Sequence, residues 1–93
     1  MKTDREVLEL AARAAGIALH SWSEIEQGYR REDGGYFRPL TDDGDALRLA
    51  VKLGLFMRAA VREIPRDEYD ADPYAATRRA ITRAAAAIEE VKK

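Results

Sequence analysis

Ninety-three residues make a single domain, and the balance of 46% apolar to 35% charged residues fits a folded chain and excludes a disordered tail. The absence of cysteine removes disulfide staples, thiolate nucleophiles and nearly every structural zinc arrangement. The formal charge is −1, with ten acids and six bases in residues 1–46 against seven and ten in residues 47–93, so neither half has the strong positive charge of a general nucleic-acid binder.

Thr3 to Ala15 reads as a helix, because Val7, Leu8, Ala11, Ala14 and Ala15 recur at spacings that build one apolar stripe. Asp4 and Glu6 place negative charge in the first turn, Thr3 caps it with Glu6 closing a capping box, and Gly16 ends it. The mixed charges of Met1 to Glu9 lack the apolar core of a signal peptide. Residues 17–27 match neither the helical nor the strand period. Ile17, Leu19 and Trp22 read as anchors of an extended or irregular stretch, with Ser21 and Ser23 as caps of a short turn ahead of Glu24 and Ile25.

From Gly28 the pattern is that of a hairpin. Tyr29-Arg30-Arg31-Glu32 and Tyr36-Phe37-Arg38 flank Asp33-Gly34-Gly35, a turn rich in residues that reach positive φ, and Pro39 ends the second arm. Next, Thr41 or Asp42 is predicted to cap a helix reaching Leu53, with Asp43 and Asp45 in its first turn and Leu40 as a hydrophobic staple. Ala46, Leu47, Leu49, Ala50, Val51 and Leu53 cover a broad arc of it and leave only Arg48 and Lys52 clearly polar, which predicts a central, buried helix. Gly54 stops it.

Leu55 to Ile64 reads best as a strand, with Leu55, Met57, Ala59 and Val61 on one face and Arg58 and Arg62 on the other; the alanines keep a helical reading open. Arg66 to Asp72 reads as a polar linker, and Asp72-Pro73 opens the last helix as cap and first residue. Its predicted stripe is Tyr74, Thr77, Ile81, Ala84, Ala85, Ile88 and Val91, with Arg78, Arg79, Arg83, Glu89 and Glu90 facing out. The expected fold is therefore α+β and two-layered: a short three-stranded antiparallel sheet packed against helices, in the order helix, hairpin, helix, strand, helix.

Reactive chemistry finds little support in this pattern. His20 is the only histidine, and Ser21 and Ser23 beside it lack an evident base and orienting group, so no enzymatic activity is expected. The acids Asp42, Asp43 and Asp45 read as helix-starting groups, because the chain after them turns apolar where a calcium loop would supply more oxygens. No glycine cluster forms a phosphate loop, and neither metal nor cofactor is expected. No stretch approaches the roughly eighteen apolar residues of a membrane span, so no membrane partner is expected, and a domain this small without a disulfide staple is expected in the cytoplasm.

The candidate interaction surface is the basic and aromatic set Tyr29, Arg30, Arg31, Tyr36, Phe37, Arg38, Arg58 and Arg62 on the hairpin and the strand expected to pair with it. Such a face docks another protein, or, as the alternative, stacks bases and holds phosphates. The small residues Ala75, Ala76, Ala80 and Ala84 to Ala87 thin the last helix for packing within the chain or across a homodimer seam.

Three blocks carry a resemblance to a known group. Leu8 to Ile17 (LELAARAAGI), Pro39 to Leu53 (PLTDDGDALRLAVKL) and Ala75 to Ala85 (AATRRAITRAA), a little under half the chain, resemble small uncharacterised proteins encoded by tailed bacteriophages and prophages. The resemblance implies a phage or prophage gene product in a bacterial cytoplasm. That group has no assigned activity, so no functional residues carry over. Residues 23–38 and 56–70 depart from it and are where a partner, the chain itself or a bacterial host protein, is expected to be chosen. An accessory protein acting by protein–protein contact is the leading expectation.

Overall fold

The computed structural model describes residues 2–55 and 62–91. Helix α1 (Asp4–Ala15) is followed by strands β1 (Leu19–Ser23), β2 (Gly28–Arg31) and β3 (Tyr36–Phe37), then helices α2 (Asp43–Leu53), α3 (Arg66–Ala71) and α4 (Pro73–Val91). The strands form one antiparallel sheet in the order β1-β2-β3. An α+β fold with a three-stranded antiparallel sheet against helices is thus as the sequence predicts.

The third strand comes from an unexpected place. It is β1, within the stretch read as irregular, and its pairing with β2 shifts register between Leu19 and Trp22. Most of the strand expected over Leu55–Ile64 falls on residues 56–61, outside the described residues. At the described margins Leu55 closes the cap of α2 and Arg62 has helical backbone, so neither adds to the sheet. The segment read as a polar linker is largely α3, a six-residue helix whose cap position, Pro65, supplies no side-chain hydrogen bond.

Capping chemistry sets the boundaries of the longer helices. At α1, Glu6 N–H donates to Thr3 Oγ1 (3.2 Å) while Thr3 N–H donates to Glu6 Oε1 (3.1 Å), completing the capping box. At α2 the cap is Asp42, whose Oδ2 accepts the Asp45 N–H at 2.8 Å; Thr41 Oγ1 instead donates to the Arg38 carbonyl at 3.4 Å. At α4, Asp72 Oδ1 accepts the Ala75 N–H at 3.1 Å. Gly16 and Gly54 end α1 and α2 with φ of 69° and 62°, and in each case the next residue, Ile17 or Leu55, bonds back five positions into the helix.

The core lies where α1 runs along α4 and the sheet and α2 close over them. Leu8 and Leu49 are fully buried, and burial of a leucine is worth about 2 kcal/mol. Ala11, Ala12 and Ala15 of α1 and Ala85 of α4 are small enough to bring the two helices close. Thr82 is fully buried on α4 and satisfied, its hydroxyl donating to the Arg78 carbonyl at 2.8 Å.

Two predicted faces are corrected. Helix α2 buries only Asp45, Ala46, Leu49 and Ala50, whereas Leu47 and Val51 are 58% and 73% exposed, so the helix lies at the surface with a second apolar stripe turned outward. On α4 the buried set is Ala76, Ile81, Thr82, Ala85 and Ala86, with Tyr74 and Val91 exposed and Arg78 drawn inward.

Candidate interaction surfaces

The hairpin folds as its turn chemistry dictates, with Gly34 and Gly35 both at positive φ. Its cross-strand partners are Tyr29 with Phe37 and Arg30 with Tyr36. Partners share a sheet face, so the two pairs point oppositely. Tyr29 and Phe37 are buried in the core, while Arg30 and Tyr36 are exposed. The aromatic and basic residues therefore do not form one surface.

The other hairpin arginines are already engaged. Arg31 Nε lies 3.1 Å from Asp33 Oδ1 and donates to the Gly34 carbonyl at 3.2 Å. Arg38 pairs with Glu26, and its backbone N–H donates to Asp45 Oδ2 at 3.0 Å. Of the two remaining predicted members, Arg62 is exposed and Arg58 lies outside the described residues.

The acids ahead of Ala46 are each committed to structure. Asp42 caps, Asp43 Oδ1 accepts from Arg78 Nη1 at 2.6 Å, and Asp45 bonds Arg38 N–H and Arg48. Asp45 holds the Arg48 guanidinium in its charged form and raises its pKa. Among the described residues no three His, Asp or Glu side chains converge as metal ligands, and no helix is long and apolar enough to cross a membrane.

A concavity of about 320 Å³ gathers Glu9, Arg13, His20 and Tyr29, which puts the single histidine near a carboxylate. Glu9, however, accepts the Tyr29 hydroxyl, and the exposed His20 ring contacts the neighbouring Ser21 Oγ at 3.3 Å. Burial, then the Glu9 carboxylate, push the Tyr29 phenol above its ordinary value of 10.0. The groups here serve each other.

A largely apolar groove of about 420 Å³ lies elsewhere, between α2 and the junction of α3 and α4. Leu47 forms one wall, Tyr69 and Tyr74 the other, and Thr77 and Ile81 lie along it. Tyr69 and Tyr74 are 40% and 70% exposed. Arg78 braces the two walls: its Nε donates to the Leu40 carbonyl at 2.9 Å and its Nη1 to Asp43. The signal for this site in the sequence is slight: Leu47 within the broad apolar arc of α2, and the lone aromatic Tyr69 in a polar segment.

Comparison with protein-family models, with curated proteins and with solved structures returned no match.

Proposed function

We propose that this chain acts by protein–protein contact through the groove between α2 and the α3–α4 junction, as an accessory protein of phage or prophage origin. The observation that carries this reading is the grouping of Leu47, Tyr69 and Tyr74, all substantially exposed, around one concavity. Tyrosine brings large contact area at small cost in side-chain freedom and is enriched where binding energy concentrates. The capped helices α2 and α4 and the Arg78 brace give Leu47 and Tyr74 a fixed backing, which lowers the ordering cost of association.

A nucleic-acid reading has weaker support. Its stacking residues Tyr29 and Phe37 are buried, and Arg31 and Arg38 have acidic partners, which leaves Arg30 and Tyr36 as the exposed hairpin pair.

The test is affinity capture from bacterial host extract, with sedimentation velocity of the purified chain for self-association. Wild type and a Leu47→Ser/Tyr74→Ser double variant are compared. A species retained by wild type and lost with the variant, or a dimer that the variant dissociates, supports the groove. Equal behaviour of the two proteins in both assays, with circular dichroism unchanged, overturns it.

A further inference from the structure

We infer that the corner between the Trp22 and Tyr29 rings is a receptor for the guanidinium of an arginine on a partner protein, and that this chain's own Arg5 occupies it. The two residues are cross-strand partners, and their rings meet edge to face at 71° with centroids 5.2 Å apart. Arg5 Cζ lies 4.9 Å from the Trp22 centroid and 5.9 Å from that of Tyr29. A cation so placed is attracted by the electron-rich ring faces.

Both walls are fixed at their polar ends by carboxylates. Tyr29 donates its hydroxyl to Glu9, and Trp22 Nε1 donates to Glu24 Oε1 at 2.9 Å. These bonds hold the rings in place and add negative charge beside the corner, the composition that suits an organic cation. A flat, weakly hydrated guanidinium suits it better than a primary ammonium, because it stacks on aromatic faces.

The present occupant is held by the rings in spite of its helix. Arg5 stands in the first turn of α1, where the helix dipole disfavours positive charge. It is exposed, and the capping box that starts α1 uses Thr3 and Glu6. Arg5 can therefore swing out without unwinding the helix and leave the corner to an incoming arginine. Tethered in the same chain, it competes at high local concentration, so the site answers only to a partner that delivers its arginine with other contacts. The inference stands apart from the groove reading, since its walls are β1, β2 and α1, and its test uses a small cation.

The probe is methylguanidinium chloride, titrated against sodium chloride at equal ionic strength, with fluorescence of the single tryptophan as the signal. In Arg5→Ala a saturable change is expected, at a concentration at least roughly tenfold lower than any response of wild type, which must first expel its own side chain. Methylguanidinium is also expected to raise the melting temperature of Arg5→Ala more than sodium chloride does. Arg5→Gln, which keeps most of the stem, serves the same purpose if the alanine variant loses its circular dichroism. A folded variant with no saturable response, or one whose response equals that of wild type, overturns the inference.

Discussion

Asp45 is a carboxylate at the edge of the core, and removing it tests what fastens the hairpin to α2. It is 8% exposed, and its two oxygens serve different elements. Oδ2 accepts the Arg38 backbone N–H at 3.0 Å, just beyond β3, and Oδ1 accepts from Arg48 at 2.5 Å on the same helix. The Arg48 side chain is 68% exposed, so that half of the arrangement is screened by water and contributes little. The bond to Arg38 is charge-assisted and half-buried, and Asp45→Ala leaves its donor without a partner, at a cost of about 2 kcal/mol. For a chain of this size that lowers the melting temperature by about 10 °C. Urea denaturation of wild type, Asp45→Ala and Arg48→Ala decides the matter. The expected pattern is a large fall in midpoint for Asp45→Ala and almost none for Arg48→Ala. Equal losses would refute the reasoning, because they would assign the stabilisation to the exposed ion pair.

Gly28→Ala places a Cβ 2.6 Å from the Phe37 carbonyl oxygen and 2.7 Å from Arg38 Cβ, so β2 and β3 must part, at about 1–3 kcal/mol read from the denaturation midpoint. Accepting the Thr3 backbone N–H and then the Thr3 hydroxyl holds the Glu6 carboxyl below its ordinary 4.5. Its stabilisation is therefore present above that value and lost as pH falls through the lowered one, and Glu6→Gln should flatten the part of the denaturation profile that falls below the ordinary carboxyl value. For Tyr29 the sign reverses: a phenol raised above 10.0 by burial and by Glu9 favours the folded state below pH 10.0, and the benefit disappears as pH rises through the folded value. Spectrophotometric titration at alkaline pH should show one phenol ionising late, and Tyr29→Phe should remove it. Fragments of single- and double-stranded DNA titrated at low salt should give flat curves; steep, salt-sensitive binding would favour the nucleic-acid reading.

The parts of the fold legible in the sequence are those written in local chemistry. Thr3 with Glu6, Asp42, Asp72 before Pro73, and Gly16 and Gly54 mark helix ends by bonds that span a few residues, and the Gly34-Gly35 turn is equally local. Strand β1 was hidden because the register shift between Leu19 and Trp22 puts both anchors on the inner side at a spacing of three, which breaks the two-residue alternation. Helix α3 was hidden because its six residues, four of them charged around one tyrosine and one alanine, have no apolar period to read.

The candidate sites were less legible still. Arg30, Arg31 and Tyr36 share a charged stretch with Tyr29 and Phe37, and only the pairing register shows that the last two turn inward. The breadth of the apolar arc on α2 likewise suits a core helix or a surface helix with a second stripe; how many elements surround it is a tertiary matter. Arg5 carries no mark in the sequence at all, since Trp22 and Tyr29 become neighbours only when β1 pairs with β2.

The sheet order has a consequence for how copies of this chain can meet. With β2 in the middle, β1 and β3 are the margins, and neither offers a long row of free backbone groups. The β3 margin is two residues long and is followed, after Arg38, by Pro39, which has no N–H, while the β1 margin is broken by its irregularity. Growth by adding a strand from a neighbour, the common route to swapped dimers and fibrils, is thus blunted at both margins of this sheet, and among the described residues assembly falls to helices and side chains.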